Sequence, residues 1–228
     1  MFNIIKLEEV DSTNEWVKRN KGKFSDLDGV FAKVQTRGKG RGKNKWFSPP
    51  GGLWFSTMIE KFPSTKGALS QLSCVVIADV LEQYKLNVEL KWPNDIIFSS
   101  KKLGGILIER INESFIIGIG LNLNIELLTF PLELRDKVIT SFEVLKKEIP
   151  IEEICLEILK KISQWIKNLN RVYLRYLGLN CDLGRKVKLI SSKGEIIGQV
   201  IRIEKDGGIL INSEGKENTY YSGSLVYT

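Results

Sequence analysis

The chain has 228 residues, 43% of them hydrophobic and 27% charged, which is enough apolar content for a globular core and argues against a disordered chain. The formal net charge is +7 and the pI is near 9.2, a balance that suits an anionic partner: a nucleotide, a nucleic acid or an acidic protein surface. Histidine is absent, which excludes Ser-His-Asp and Cys-His nucleophilic machinery and most zinc sites, so catalysis has to rest on Lys, Arg, Asp, Glu, backbone amides or a bound metal.

Residues 2–7 predict a short strand. Asp11-Ser12-Thr13 supply cap-type side chains before a short helix from Asn14 to Asn20. Gly29 to Gln35 predicts a strand, residues 36–52 a long loop rich in Gly, Pro and charge, and Leu53 to Ile59 another strand. Over 67–84, Leu69, Leu72, Val76, Val80 and Tyr84 recur at helical spacing and mark one buried face. Three strand-like stretches follow: Val88–Trp92 with Ile96–Phe98, Leu103–Glu109, and Phe115–Asn122, with Asn112-Glu113 as a hairpin turn. Ile151 to Tyr176 reads as one helical pattern, and Gly178 as its stop. Residues 184–228 alternate in runs separated by Lys193-Gly194, Asp206-Gly207-Gly208 and Glu214-Gly215, predicting a small barrel of about five strands. The fold class is therefore α+β: a mixed, mostly antiparallel sheet flanked by helices over residues 1–180, then a small β domain over 181–228.

Cys74, Cys155 and Cys181 are odd in number and form no C-x-x-C pair. Cys74 and Cys155 sit in amphipathic patterns as buried, reduced thiols, which places the chain in the cytoplasm. The N-terminus lacks the pattern of a signal peptide, and no apolar run approaches the ~20 residues that span a bilayer.

Arg37, Lys39, Arg41, Lys43 and Lys45 alternate with Gly38, Gly40 and Gly42 in a segment without an acid. Glycine lets backbone amides approach an anion, and the cations add charge-assisted donors. The spacing fits neither a dinucleotide fingerprint nor a P-loop. Alone, the segment reads equally as an anion site or as a solvated basic loop of the RNA-binding kind. Lys91-Trp92-Pro93-Asn94-Asp95 offers one hard oxygen ligand for Mg²⁺, or an Asx-type turn. Lys101-Lys102-Leu103-Gly104-Gly105 places a lysine before a Gly-Gly strand. Gly118 and Gly120, at i and i+2, leave one strand face bare, for a flat ligand or for tight packing.

Together these clusters, in this order, resemble the biotin–protein ligase family over nearly the whole chain. The resemblance rests on Asp11 to Asn14, Gln35 with the Gly-basic loop ending at Trp46, Gly52 to Ser56, Lys91 to Asp95, Lys102 to Leu107 and Gly118 to Asn122. It implies a class II synthetase-like catalytic fold with a Src-homology-3-like barrel. It also implies ATP-dependent formation of biotinyl-5′-AMP, then transfer of biotin to a lysine of a biotin carboxyl carrier protein. ATP with Mg²⁺ and biotin are the substrates and counter-ion, with no tightly bound prosthetic group. By residue, the family pattern places Ser12, Thr13, Asn14 and Gln35 around the ureido ring, and Trp54 as an apolar wall. Gly38, Lys39, Gly40 and Arg41 fall along biotin and adenylate. Lys102 falls beside the biotin carboxylate and α-phosphate, with Arg41 as the second catalytic cation. Gly105, Gly118 and Gly120 form the floor. Trp46, Asn94, Asp95 and Asn122 fall on the nucleotide side, with Asp95 holding Mg²⁺ through phosphate or water. The lid is expected to be mobile when empty and ordered by an anion.

Three positions depart from the pattern. Asn44 stands where an arginine is expected, Trp54 where a tyrosine or phenylalanine is usual, and Ser224 where an acid is common. Because the chain starts at the catalytic region, operator DNA binding is not expected. Homodimerisation through an exposed sheet edge is compatible with the resemblance. Two other readings stay open. A lipoate–protein ligase shares the adenylation logic but needs fewer polar partners than Ser12, Thr13 and Gln35 provide. A non-enzymatic nucleic-acid binder would show affinity falling steeply with salt.

Overall fold

The computed structural model describes residues 2–192 and 194–228. Seven strands, β1 (Ile4–Val10), β2 (Gly29–Gln35), β3 (Leu53–Ile59), β4 (Glu89–Lys91), β5 (Asp95–Phe98), β6 (Lys101–Ile111) and β7 (Ser114–Leu121), form a sheet in the order β1-β2-β3-β7-β6-β5-β4. β1 pairs with β2 in parallel, and each other neighbouring pair is antiparallel. The helix α1 (Thr13–Arg19) makes the crossover between the two parallel strands.

Alternation along β3 and β7 decides the two faces of this sheet. Leu53, Phe55 and Ile59, with Ile117, Ile119 and Leu121, pack toward the main core. Met58 and Ile116 turn the other way, onto Val17 of α1 and Phe24. Ser56, Gly118 and Gly120 share the parity of this second face, so the sheet carries its core on one side and a polar, glycine-lined surface on the other.

The main core holds α2 (Lys66–Glu82), capped by Thr65, whose hydroxyl accepts from the Ala68 amide. The sequence predicts one buried face here, but α2 is buried almost all round. The reason is tertiary: α5 (Ile151–Trp165) and α6 (Leu169–Leu179) cover the side facing away from the sheet. The continuous helix expected from Ile151 to Tyr176 is these two helices. Asn168 breaks it, its side-chain oxygen accepting the Arg171 amide at 3.1 Å as the cap of α6. The apolar spacing survives the break because both helices present their faces to the same core. Two short helices, α3 (Leu132–Arg135) and α4 (Ser141–Leu145), are not foreseen by the sequence pattern.

Five strands, β8 (Lys186–Ser191), β9 (Gly194–Ile203), β10 (Ile209–Ser213), β11 (Lys216–Tyr220) and β12 (Ser224–Tyr227), form the expected C-terminal β unit. Their order is β11-β10-β9-β8-β12, all antiparallel, and the outer strands β11 and β12 are not paired with each other to close the barrel. The predicted Lys193-Gly194 turn involves Lys193, which lies outside the described residues. Val187, Leu189, Ile203 and Leu225 join the same apolar cluster as α2, so the two sheets share one core. Cys74 and Cys155 are buried free thiols, and burial pushes both above the usual thiol range. No helix among the described residues is long and apolar enough to cross a membrane.

Candidate active site

A cleft of about 340 Å³ lies on the glycine-bearing face of the main sheet and opens into a wider groove of about 1680 Å³ toward the C-terminal unit. One end of the cleft is polar and largely self-satisfied. Gln35 Oε1 accepts from the Thr13 amide at 2.8 Å and from Thr13 Oγ1 at 3.1 Å, while Gln35 Nε2 donates to Ser48 Oγ at 2.9 Å. Ser56 Oγ lies 2.7 Å from Thr13 Oγ1 and 2.6 Å from Asn14 Oδ1. Asn14 Nδ2 donates to Glu109 at 2.8 Å, and Lys18 holds the other Glu109 oxygen at 2.7 Å. Ser12, Thr13 and Asn14 are all buried. The cap expected from Asp11-Ser12-Thr13 is incomplete: Ser12 takes the N-cap position of α1 but makes no side-chain cap bond.

The three predicted floor glycines come together on adjacent strands, but they are not equally bare. Gly105 faces Gly120 across the β6–β7 ladder, and Gly118 faces Ser56. A methyl group at Gly118 would meet the Asn14 amide, with Cγ at 2.9 Å, and one at Gly120 would meet the Trp46 ring, with Nε1 at 2.7 Å. At Gly105 the nearest atoms are Lys102 Cε at 3.4 Å and Asp95 Oδ1 at 3.5 Å. Asn14 and Trp46 therefore rest on backbone, an approach that only glycine permits.

Lys102 stands at the other end. Its Nζ lies 2.7 Å from Asp95 Oδ1 and 5.0 Å from the Trp46 ring centre. Asn94 Nδ2 donates to the Ile106 carbonyl, and the buried Asn94 Oδ1 has no partner, as has Trp46 Nε1. Both residues line the cleft, and two buried, unpaired polar atoms are costly in a dry interior. Asn122 differs: its amide donates to the carbonyls of Lys102 and Ile139 at 3.3 Å each, which ties β7 to the segment after α3.

The basic loop folds back on itself as a tight hairpin. Trp46 N donates to Gly38 O at 2.9 Å, and Gly40 N to Asn44 O at 2.8 Å, with Gly42 at the tip at φ +64°. Position 44 thus serves the turn through its backbone. Arg41 points from the loop to the C-terminal unit, donating to the Gly223 carbonyl at 2.8 Å. Burial lowers its guanidinium pKa, and the Asp95 charge opposes that. Lys39 pairs with Glu15 at 2.6 Å, whereas Arg37, Lys43 and Lys45 stay exposed.

Trp54 does not line the cleft. It is fully buried, donates to the Pro49 carbonyl at 2.8 Å, and packs beneath Trp46 with Ile125 and Phe130. It shares the glycine face but lies a layer deeper, so it supports the wall instead of forming it. Sequence reading missed Ser48, Ser56 and Glu109, and also Phe130, Leu134 and Val138, which border the cleft beside Lys102. A serine at the centre of a strand buried along its whole length was the one available signal, at Ser56.

The model of the biotin/lipoate A/B protein ligase family matches residues 7–125, more than half of the chain. The chain belongs to this family. Its fold is that of the biotin protein ligase from Aquifex aeolicus, solved in complex with biotin and ATP. That structure is 32% identical, superposes with a TM-score of 0.90, and is covered in full by this chain and covers it in full. The bifunctional ligase/repressor BirA of Escherichia coli is 27% identical over 96% of this chain and 72% of its own length. The human biotin–protein ligase is 27% identical over 82% of this chain and 28% of its own length. The match of this family to residues 7–125 covers the polar end, the basic loop, the glycine floor and Lys102, while Phe130, Leu134 and Val138 and the Gly223 contact of Arg41 lie beyond it.

Proposed function

We propose that this biotin/lipoate ligase family member activates biotin with ATP and transfers it to a lysine of an acceptor protein. The carrying observation is that Lys102 closes one end of a glycine-floored cleft whose other end is the hydrogen-bonding set of Thr13, Asn14 and Gln35. A neutral ring with N–H and C=O edges fits that polar end, and a carboxylate at the end of an apolar chain fits the cation. A dithiolane offers the polar end nothing to bond, so the lipoate reading is not favoured.

In the first step a biotin carboxylate oxygen attacks the α-phosphorus of ATP, the bridging bond to the β-phosphate breaks, and pyrophosphate leaves. In the second, the neutral amine of the acceptor lysine attacks the acyl carbon, AMP leaves with the bonding pair, and the amine loses a proton. Neither step needs a histidine base. Charge develops on phosphate oxygens, where Lys102 and Arg41 offset it and positioning supplies most of the rest. Magnesium, when bound with the nucleotide, would neutralise phosphate charge. Among the described residues no group of three acidic, cysteine or histidine side chains gathers to cage a metal. Asp95 offers one carboxylate, which fits an ion held mainly by phosphates.

We assign biotin contacts to Ser12, Thr13, Asn14, Gln35, Gly38, Lys39, Gly40, Arg41, Lys102, Gly105, Gly118 and Gly120. Nucleotide contacts go to Arg41, Trp46, Asn94, Asp95 and Lys102, with Asn122 bracing that side. The acceptor is a biotin carboxyl carrier domain entering from the wider groove. Residues 1–180 act as the catalytic unit and 181–228 as its smaller companion, a division compatible with their common core. An exposed sheet edge is the surface for a homodimer.

Pyrophosphate exchange tests the first step: it should depend on biotin and be absent with lipoate. Labelled biotin should then pass to a carrier domain with ATP and Mg²⁺. Exchange that runs as well on lipoate reverses the substrate assignment. Salt-sensitive nucleic-acid binding without biotin-dependent AMP release favours the non-enzymatic reading.

A further inference from the structure

Asp182 is fully buried and lies in the segment that joins α6 to the C-terminal sheet, away from the cleft. Its Oδ2 accepts the Trp92 backbone amide at 2.6 Å and Asn180 Nδ2 at 3.1 Å, and its Oδ1 accepts the Tyr227 hydroxyl at 2.9 Å. Burial raises the Asp182 carboxyl pKa, while the hydrogen bonds from Trp92, Tyr227 and Asn180 and the charge of Lys91 pull it down. Burial outweighs the rest, so the Asp182 pKa stands above the usual carboxylate value; Lys91 Nζ and the Arg185 guanidinium lie 4.3 and 4.7 Å from the ring centre of its partner Tyr227. A buried carboxylate carries a large desolvation cost, so its retention here calls for a task.

Trp92 is two residues before Asn94, which lines the cleft and whose buried Oδ1 has no partner, and three before Asp95, which pairs with Lys102. The tryptophan is fixed at both ends. Its amide goes to Asp182, and its ring Nε1 donates to the Gly207 carbonyl of the C-terminal unit at 2.9 Å. Pro93 O accepts from Ser70 of α2 at 3.0 Å, and Asn94 O from the Ile106 amide at 2.9 Å. The turn is thus held from α2, from β6 and from the C-terminal unit, and Asp182 is the charged member of that hold. β12 ties the same unit to the basic loop, because Gly223 just before it accepts Arg41 and Tyr227 at its end binds Asp182.

We propose that Asp182, with Tyr227, is a positioning residue that sets the Trp92–Asp95 turn for the nucleotide. This rests on the reading that Asn94 and Asp95 face ATP. It makes the C-terminal unit part of the ATP site without touching ATP, and it predicts an effect centred on one of the two small substrates. Asp182 makes no hydrogen bond to α1, β2, the basic loop or β7, which carry most of the biotin contacts; Lys102 and Gly105 of β6 adjoin the turn through Asp95, so they are the route by which a smaller effect on biotin would arise.

The test is biotin-dependent pyrophosphate exchange by the full chain, with KM for ATP and for biotin measured separately. Losing a buried charge-assisted bond to the Trp92 amide should raise KM for ATP about tenfold in Asp182→Ala, with KM for biotin within about twofold. Asp182→Asn keeps an acceptor for that amide and should recover most of the loss. Tyr227→Phe should shift KM for ATP in the same direction by a smaller factor. Both constants rising together, or a folded Asp182→Ala with wild-type KM for ATP, overturns the proposal. If Asp182→Ala does not fold, Tyr227→Phe decides: an unchanged KM for ATP in that variant overturns it. Wild-type protein without biotin-dependent exchange overturns the functional reading, and this inference with it.

Discussion

The Lys102 ammonium sits 2.7 Å from the Asp95 carboxylate, a pair held between neighbouring strands β6 and β5. The two side chains are 33% and 21% exposed, so the bond is partly screened and can be exchanged for another anion as a substrate enters. A lysine that begins the cycle on a carboxylate can pass to a phosphate or a substrate carboxylate without a stage in which it is buried and unpaired. The expectation is that Lys102→Ala slows biotin-dependent pyrophosphate exchange by about 10²–10³-fold, the usual loss when one charge-stabilising donor is removed. Near-wild-type exchange would remove Lys102 from its assigned role.

Arg41 reaches across the groove to the Gly223 carbonyl and closes the loop onto the C-terminal unit. Arg41→Gly deletes that latch and a cation beside the adenylate. The variant should form biotinyl-5′-AMP but release it about tenfold faster, the size expected for a lost charge-assisted hydrogen bond. A filter assay following escape of labelled adenylate reads this directly, and wild-type retention counts against the latch.

Gly118→Ala places a methyl group against the Asn14 amide, whose own bonds to Ser56 and Glu109 leave it little room to retreat. Overpacking of this kind costs about 1–3 kcal/mol. A lower Tm and a higher KM for biotin are expected together. A Tm equal to wild type would show that Asn14 moves freely.

The Asp11 carboxyl is held down by its hydrogen bonds with Arg19, from an ordinary 3.8 to about 2. A depressed native pKa means the unfolded chain binds the proton first, so this pair stabilises above pH 4 and its contribution is lost as pH falls through about 2. Acid titration of unfolding should therefore be steeper between these limits for wild type than for Asp11→Asn. Identical curves would mean that solvent screening has removed the effect, because the pair is largely exposed.

The glycine-rich stretch 37–45, exposed at its tip from Gly42 to Lys45, should be cut by protease in the free protein and protected by biotin with ATP, since anions neutralise Arg37, Lys43 and Lys45. Cleavage that the substrates fail to suppress argues against a closing lid.

Much of the site was legible in the sequence because its signals are local. Glycines at i and i+2 had to share a strand face, and Gly118 and Gly120 do. A lysine before Gly-Gly had to stand at the edge of the same surface, and Lys102 does. Strand parity could not tell depth, however. Trp54 has the parity of the glycine face but lies under Trp46, a matter of which side chain from the loop arrives on top. Glu109 carried no signal, because its partners Asn14 and Lys18 lie over ninety positions away. The helices α3 and α4 are too short for periodicity to register, although α3 and the segment after it place Leu134 and Val138 beside the cleft.

By itself the sequence determined the chemistry and the order of the parts: the cationic glycine loop, the side-chain-free strands, the absence of histidine and the two-part division of patterns. Those follow from composition and from periods of two and about four, which neighbouring residues fix among themselves. Tertiary structure alone decided what lies on the glycines, which polar atoms remain unpaired, and how Asp182 of one segment grips Trp92 of another. These are meetings of residues distant along the chain, chosen by packing one shared core and not by any local pattern.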